Sequence, residues 1–228
     1  RNVYYLNEIF SLFPEAYVVN LIRDPRDVLL SQKNKWKRSQ LGAKTIPTKQ
    51  LLRFWANYHP ITMSLMWKSG IKAAFTLGEH PRLMHIKFET LLQHPEQTVQ
   101  SICGFLDIAY EPAMLAVPQV GSSHQSDKLE ARGINKDAVA RWQLATKAKT
   151  DLYLCEKLTQ PFFNRLKYPK SSYRSNPLII FWLALSWPIK LGVAFLFNLG
   201  RFKNLGDTVR KRFVSSPQLD PVEETTIL

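Results

Sequence analysis

Tyr17-Val18-Val19-Asn20-Leu21-Ile22-Arg23-Asp24-Pro25-Arg26-Asp27-Val28-Leu29-Leu30-Ser31 is the stretch on which the reading of this chain turns. Tyr17 to Ile22 is an apolar run of strand length, and its hydrophobicity on both alternating faces predicts a buried parallel strand. The chain must then turn at once into a helix. Asp24 is a natural N-cap, and Pro25 fits the first helical position because its missing N–H has no intrahelical partner there. Arg23 is thereby delivered at the carboxyl end of a strand, where ligands bind in open α/β sheets. Ser31 lies two turns into the helix. An arginine fork and a nearby hydroxyl are suited to grip a phosphate group. The plainer alternative is a charged turn in which Arg23, Asp24, Arg26 and Asp27 pair among themselves.

Working outward, Val3 to Phe13 reads as an amphipathic helix ended by Pro14. Lys33 to Lys44 is polar and basic. Thr48 to Leu77 has a long helical pattern broken near Pro60, with Phe54, Trp55, Tyr58, Trp67 and Phe75 mainly for core packing and some for an acceptor pocket. A second strand, Leu83 to Phe88, is followed by Glu89-Thr90-Leu91-Leu92, then His94-Pro95-Glu96, then a helix to Leu106. Val99, Ile102, Cys103, Phe105 and Leu106 supply that helix's apolar face. Pro118 to Asn135 is a loop by composition. Ile134 to Trp142 follows, with Trp142 read as a packing anchor, and a helix from Thr150 to Leu166 closes the domain.

Two of these stretches, Leu21 to Ser31 and Arg82 to Ile108, resemble the sulfotransferases that use PAPS (3′-phosphoadenosine 5′-phosphosulfate). In that family an Arg after the strand and a Ser further along contact the 3′-phosphate, and the matching residues are Arg23 and Ser31. The aromatic position after the second strand helps hold the adenine in many members. Here it is Phe88 rather than the frequent Tyr, which keeps stacking and gives up a hydroxyl hydrogen bond. A core Phe at a strand end is the alternative. The segment ending at Trp142 resembles the family's late basic loop, with Lys136 and Arg132 as candidate phosphate contacts. Its pattern is altered, because Asn135 and Asp137 flank Lys136, and solvated loop cations are the competing reading. The resemblance runs in family order over residues 1–168. It implies an α/β fold, a P-loop-kinase-like parallel sheet flanked by helices and incomplete at the N-terminus. It also implies sulfuryl transfer from PAPS to an acceptor hydroxyl or amine, with PAP (adenosine 3′,5′-bisphosphate) as product. The acceptor is a small molecule, a lipid or a glycan.

One family element is not legible. The Gly-rich phosphosulfate loop with its Lys works through backbone N–H groups around the transferring group. None of the 9 glycines sits in a Gly-rich turn after a strand. That loop and the usual general base lie upstream in the family. The expectation is therefore a piece of a longer protein, carrying the 3′-phosphate half of the site, inactive alone, with no catalytic residue assigned. His59, His80, His85, His94 and His124 are not adopted as replacements. The alternative function is a catalytically inactive, membrane-attached PAP-binding or scaffold module.

The formal net charge of +13 over 228 residues favours anionic partners. A basic nucleic-acid binder is a third reading. No interleaved basic and aromatic RNA-binding motif supports it, so no nucleic-acid partner is expected. Cys103 and Cys155 sit in apolar helical contexts, which favours core thiols and a cytoplasmic location. No Cys/His spacing suggests a metal. Residues 177–199 are nearly continuous apolar sequence of membrane-span length, interrupted by Pro188, Lys190 and Asn198. Trp182 and Trp187 suit an interface, and basic residues flank both ends. This fits an interfacial or re-entrant segment better than a clean span. Phe202 to Phe213 adds a basic amphipathic pattern for acidic lipid. The expected organisation is a partial sulfotransferase domain over 1–168, a hydrophobic and basic membrane-associating segment over 177–213, and a disordered tail over 215–228.

Overall fold

The computed structural model describes residues 2–37, 40–41, 44–119, 128–201 and 227. A 3-10 turn, Asn2–Tyr5, leads into α1 (Leu6–Leu12), which stops ahead of Pro14. Strand β1 (Val18–Ile22) follows. Helix α2 (Pro25–Asn34) starts on Asp24, whose side chain accepts from the Arg26 N–H at 2.9 Å, with Pro25 in the first turn. A short antiparallel ladder joins β2 (Gln40–Leu41) to β3 (Lys44–Thr45). The long helical pattern breaks where Pro60 demands it, into α3 (Thr48–Asn57) and α4 (Pro60–Phe75). Strand β4 (Leu83–Lys87) runs straight into α5 (Phe88–Gln93), and Pro95 opens α6 (Pro95–Leu106). Beyond it lie β5 (Pro118–Gln119), β6 (Lys128–Arg132), several 3-10 turns, α7 (Lys149–Arg165) and α8 (Pro177–Asn198).

The chain divides into two compact units. The first comprises Arg1–Arg23, Lys68–Ala116 and Asn204–Leu228. Its centre is the parallel β1–β4 pair, in register from Val18↔Leu83 to Ile22↔Lys87. A parallel pair needs a long crossover, and helices supply it here. Ile22, Ile86, Phe75 and Leu83 are buried, and Asn20 Nδ2 donates across the strands to Nδ1 of buried His85 at 3.0 Å. Strand β1 is not buried on both sides as its composition suggests. Ile22 is buried while Tyr17, Val19 and Leu21 are exposed, so the period of two along a strand puts one apolar face in the core and the other outside it.

The second unit comprises Asp24–Trp67 and Val117–Lys203. Its core packs Leu29 and Leu30 of α2 against Trp142, Ala148, Leu152 and Cys155. Trp142 is thus the packing anchor its context suggested. Burial pushes the Cys155 thiol up to about 12, which leaves a core residue rather than a nucleophile. The expected loop over 118–135 is partly strand, with β5 and β6 antiparallel, and 120–127 lie outside the described residues. The segments 202–213 and 215–226 also lie outside them.

A candidate phosphate site at the ends of two parallel strands

The register of the sheet explains the candidate site of the first unit. Because Ile22 pairs with Lys87, the next residues on the two strands, Arg23 and Phe88, leave the same carboxyl edge side by side. The Arg23 guanidinium carbon lies 4.5 Å from the centre of the Phe88 ring. This is a cation–π contact, and Arg23 Nε is buried within it. Phe88 is the first residue of α5 rather than the last of a strand. Both side chains are half-buried. A flat guanidinium lying on a ring keeps its N–H donors in its own plane, at its rim, where a planar or tetrahedral oxyanion can meet two of them.

The second arginine of the same turn has a different task. Arg26 is wholly buried. Its Nε and Nη2 donate to the two Asp24 oxygens at 3.0 and 2.7 Å, and Nη1 reaches Glu156 of α7 at 3.3 Å. Its guanidinium lies 3.6 Å from the Trp142 ring centre and 4.8 Å from that of Phe163. Asp27 Oδ1 accepts from the Trp142 backbone N–H at 2.9 Å. The internal pairing weighed for this turn is therefore made by Arg26 and Asp24, and it ties the start of α2 to α7 and Trp142 within the second unit. Every charged group of Arg26 is satisfied, so it is a structural arginine.

The other sequence candidates lie in the second unit. Ser31 is half-buried in the second turn of α2. Arg132 ends β6, and Lys136 opens a 3-10 turn whose Asn135 side chain accepts from the Asp137 N–H at 3.0 Å. Both cations are exposed. Of the histidines set aside, His80 stacks on Phe10 with ring centres 4.1 Å apart, and His94 stands before α6 without a side-chain cap. His59 is buried, with Nε2 3.5 Å from Ser186 Oγ, and burial lowers its pKa. His124 lies outside the described residues. Sequence reasoning did not single out the cavity of about 360 Å³ beside the Arg26 pair, lined by Glu156, Lys157, Lys170, Ser171 and Tyr173. Its residues come from α7 and the turn after it and follow no motif.

A parallel strand pair with an arginine and an aromatic at its carboxyl edge, and a proline-started helix after the first strand, make this an α/β protein with a parallel sheet. The family model described as "Sulfotransferase family" matches residues 1–112, and the likeness to sulfotransferases rests on that part of the chain. It is similar to Sulfotransferase 2A1 of Macaca fascicularis, 29% identical over 124 residues that make up 52% of this chain and 43% of the relative. Sulfotransferase 2A1 of Homo sapiens is 28% identical over the same shares. The chain thus spans less than half the length of these curated relatives. A solved structure, Sulfotransferase Domain from the Curacin Biosynthetic Pathway, aligns with TM-score 0.47 at 20% identity, covering 74% of this chain and 59% of that one.

Proposed function

We propose that this chain serves transfer of a sulfuryl group from PAPS to an acceptor hydroxyl or amine, and that Arg23 binds the 3′-phosphate of the nucleotide. The observation that carries this reading is the Arg23–Phe88 pair at the carboxyl ends of β1 and β4. A guanidinium is the side-chain group best shaped to meet a phosphate with two parallel donors. Stacking of the adenine on Phe88 rests on the family resemblance. Ser31, Lys136 and Arg132 as further phosphate contacts rest on the family resemblance alone.

In the reaction the acceptor oxygen or nitrogen attacks sulfur, the bond from sulfur to the phosphate oxygen of PAP breaks, and the acceptor's proton passes to a base. Such chemistry needs in-line placement and charge stabilisation. The residues proposed here hold the nucleotide so that the sulfuryl group is placed, and they make no bond to it. The base and the groups around the transferring sulfur are assigned to no residue of this chain. The acceptor class stays open among a small molecule, a lipid and a glycan. Two buried free thiols, Cys103 and Cys155, support a reducing, cytoplasmic setting.

The test is PAP binding by isothermal titration calorimetry to the parent and Arg23→Ala chains. A charge-assisted contact is worth about 1.5–3 kcal/mol, so the variant should bind PAP at least about tenfold more weakly while melting near the parent temperature. Equal PAP affinity in the two proteins would overturn the assignment of Arg23. Turnover of PAPS by a preparation that contains this chain separates an enzyme from a binding module.

A further inference from the structure

Helix α8 is long and apolar enough to cross a membrane by length and composition. Its side chains are nevertheless sorted by face. At 100° per residue, Leu178, Trp182, Leu185, Ile189 and Leu196 fall within an arc of about 60°. They are among the most exposed large apolar residues of the helix, Leu178 and Ile189 at 69% and Leu196 at 65%. Trp187, Lys190 and Asn198 fall on the opposite side. There Trp187 Nε1 donates to Thr62 Oγ1 at 3.0 Å, Lys190 Nζ to the Trp55 carbonyl at 3.2 Å and Asn198 Nδ2 to Asn57 Oδ1 at 2.7 Å. Lys190 also lies on the Trp55 ring, 3.2 Å from its centre, and Arg53 Nε donates to the Phe197 carbonyl at 3.0 Å. The residues that interrupt the apolar run therefore dock α8 onto α3 and the start of α4, and its outer face is hydrocarbon.

We propose that α8 is an in-plane membrane dock: its outer stripe lies in the headgroup–acyl boundary of an anionic lipid bilayer, with the helix axis parallel to the surface. A crossing helix would have to pull Lys190, Asn198 and Trp187 off their partners and place the charged and amide groups in lipid, which is strongly unfavourable. An in-plane helix keeps all of these bonds. Trp182 and Phe181 on the outer side are the aromatic type that settles at the headgroup level. The net charge of +13 selects the partner, because it attracts an acidic surface and opposes packing of a second copy against the same stripe. Arg174 just before α8 and Arg201 just after it bring basic residues to both ends of the helix in sequence. The inference does not depend on sulfuryl transfer.

The experiment is flotation of the full chain with vesicles of phosphatidylcholine alone or mixed with phosphatidylglycerol, combined with spin-label depth measurement. Single cysteines replace Leu178, Leu185, Ile189 and Leu196, and the two native cysteines are buried. The expected result is salt-sensitive binding to the anionic vesicles with all four labels at one shallow depth. The double variant Leu185→Glu, Ile189→Glu should lose vesicle binding by roughly tenfold or more, since both positions face outward. Labels graded in depth with position 189 deepest would mean a span, and would overturn the proposal. So would absence of vesicle binding, or label–label coupling between two chains in solution. Should the charged variant unfold by circular dichroism, the depth series decides alone.

Discussion

Two arginines three residues apart do opposite work. Arg26 has two carboxylates, two aromatic faces and no exposure. Arg23 lies half-buried on the Phe88 ring at the strand edge. Arg26→Ala takes the guanidinium from Asp24 and Glu156 at once, leaving Asp24 the backbone N–H of residue 26 and Glu156 the Ser171 N–H at 3.1 Å. Breaking a buried pair this way costs about 3–5 kcal/mol. The urea midpoint of Arg26→Ala should fall accordingly, whereas the larger effect of Arg23→Ala should be on PAP affinity. A midpoint for Arg26→Ala equal to the parent's would remove its structural role. The sequence places Arg23 at the strand end and leaves two readings of the turn, a phosphate contact by Arg23 and internal pairing among Arg23, Asp24, Arg26 and Asp27. It does not separate them, because the partners that capture Arg26, namely Trp142, Glu156 and Phe163, lie more than a hundred residues away. Arg23 and Phe88 were each legible as strand-end residues. Their meeting depends on the Ile22↔Lys87 register, which local pattern does not encode.

Among the elements, a shared carboxylate holds α2, α3 and α7 together. Asp151 Oδ2 accepts from Tyr58 Oη at 2.8 Å and from Lys33 Nζ at 2.7 Å. Burial first, and then the Asp151 charge, push the Tyr58 hydroxyl well above its ordinary value. Folded Tyr58 therefore stays protonated where the unfolded chain has begun to release that proton, above about pH 10. The stabilisation is fully present below that pH and is lost as pH rises further. Tyr58→Phe should lower stability by about 1.5–3 kcal/mol at neutral pH and make the alkaline decline shallower. Urea midpoints across an alkaline series read both; a decline as steep as the parent's would mean that other groups set it. Helix boundaries were largely legible here, because Asp24, Pro25, Pro60 and Pro95 punctuate the chain. Burial was less so. An apolar run reads alike whether one face of it is covered or both, which is why β1 and α8 looked uniform in sequence and are two-faced in the fold.

At the scale of the whole molecule the charge balance sets how the protein meets acid. The chain is at +13 with its histidines neutral. Lowering the pH charges the histidines and then neutralises carboxylates, so self-repulsion rises throughout. His59 adds a local part to this global one. Burial lowers its pKa, outweighing the opposing pull of Asp151. Below about pH 6.5 the unfolded chain takes up a proton at this position that the folded chain does not. Its contribution is thus intact above that pH and is lost as pH falls, the reverse of the Tyr58 case. The two parts differ in their response to salt. Repulsion between exposed charges is screened over about 8 Å at physiological ionic strength, whereas the cost of charging a buried imidazole is screened far less. His59→Gln should therefore flatten the fall in melting temperature between roughly pH 6.5 and 5, at low salt and high salt alike. The steeper fall at lower pH should remain and should be the portion that salt reduces. A melting curve series in which His59→Gln tracks the parent at every pH would assign the whole acid response to net charge.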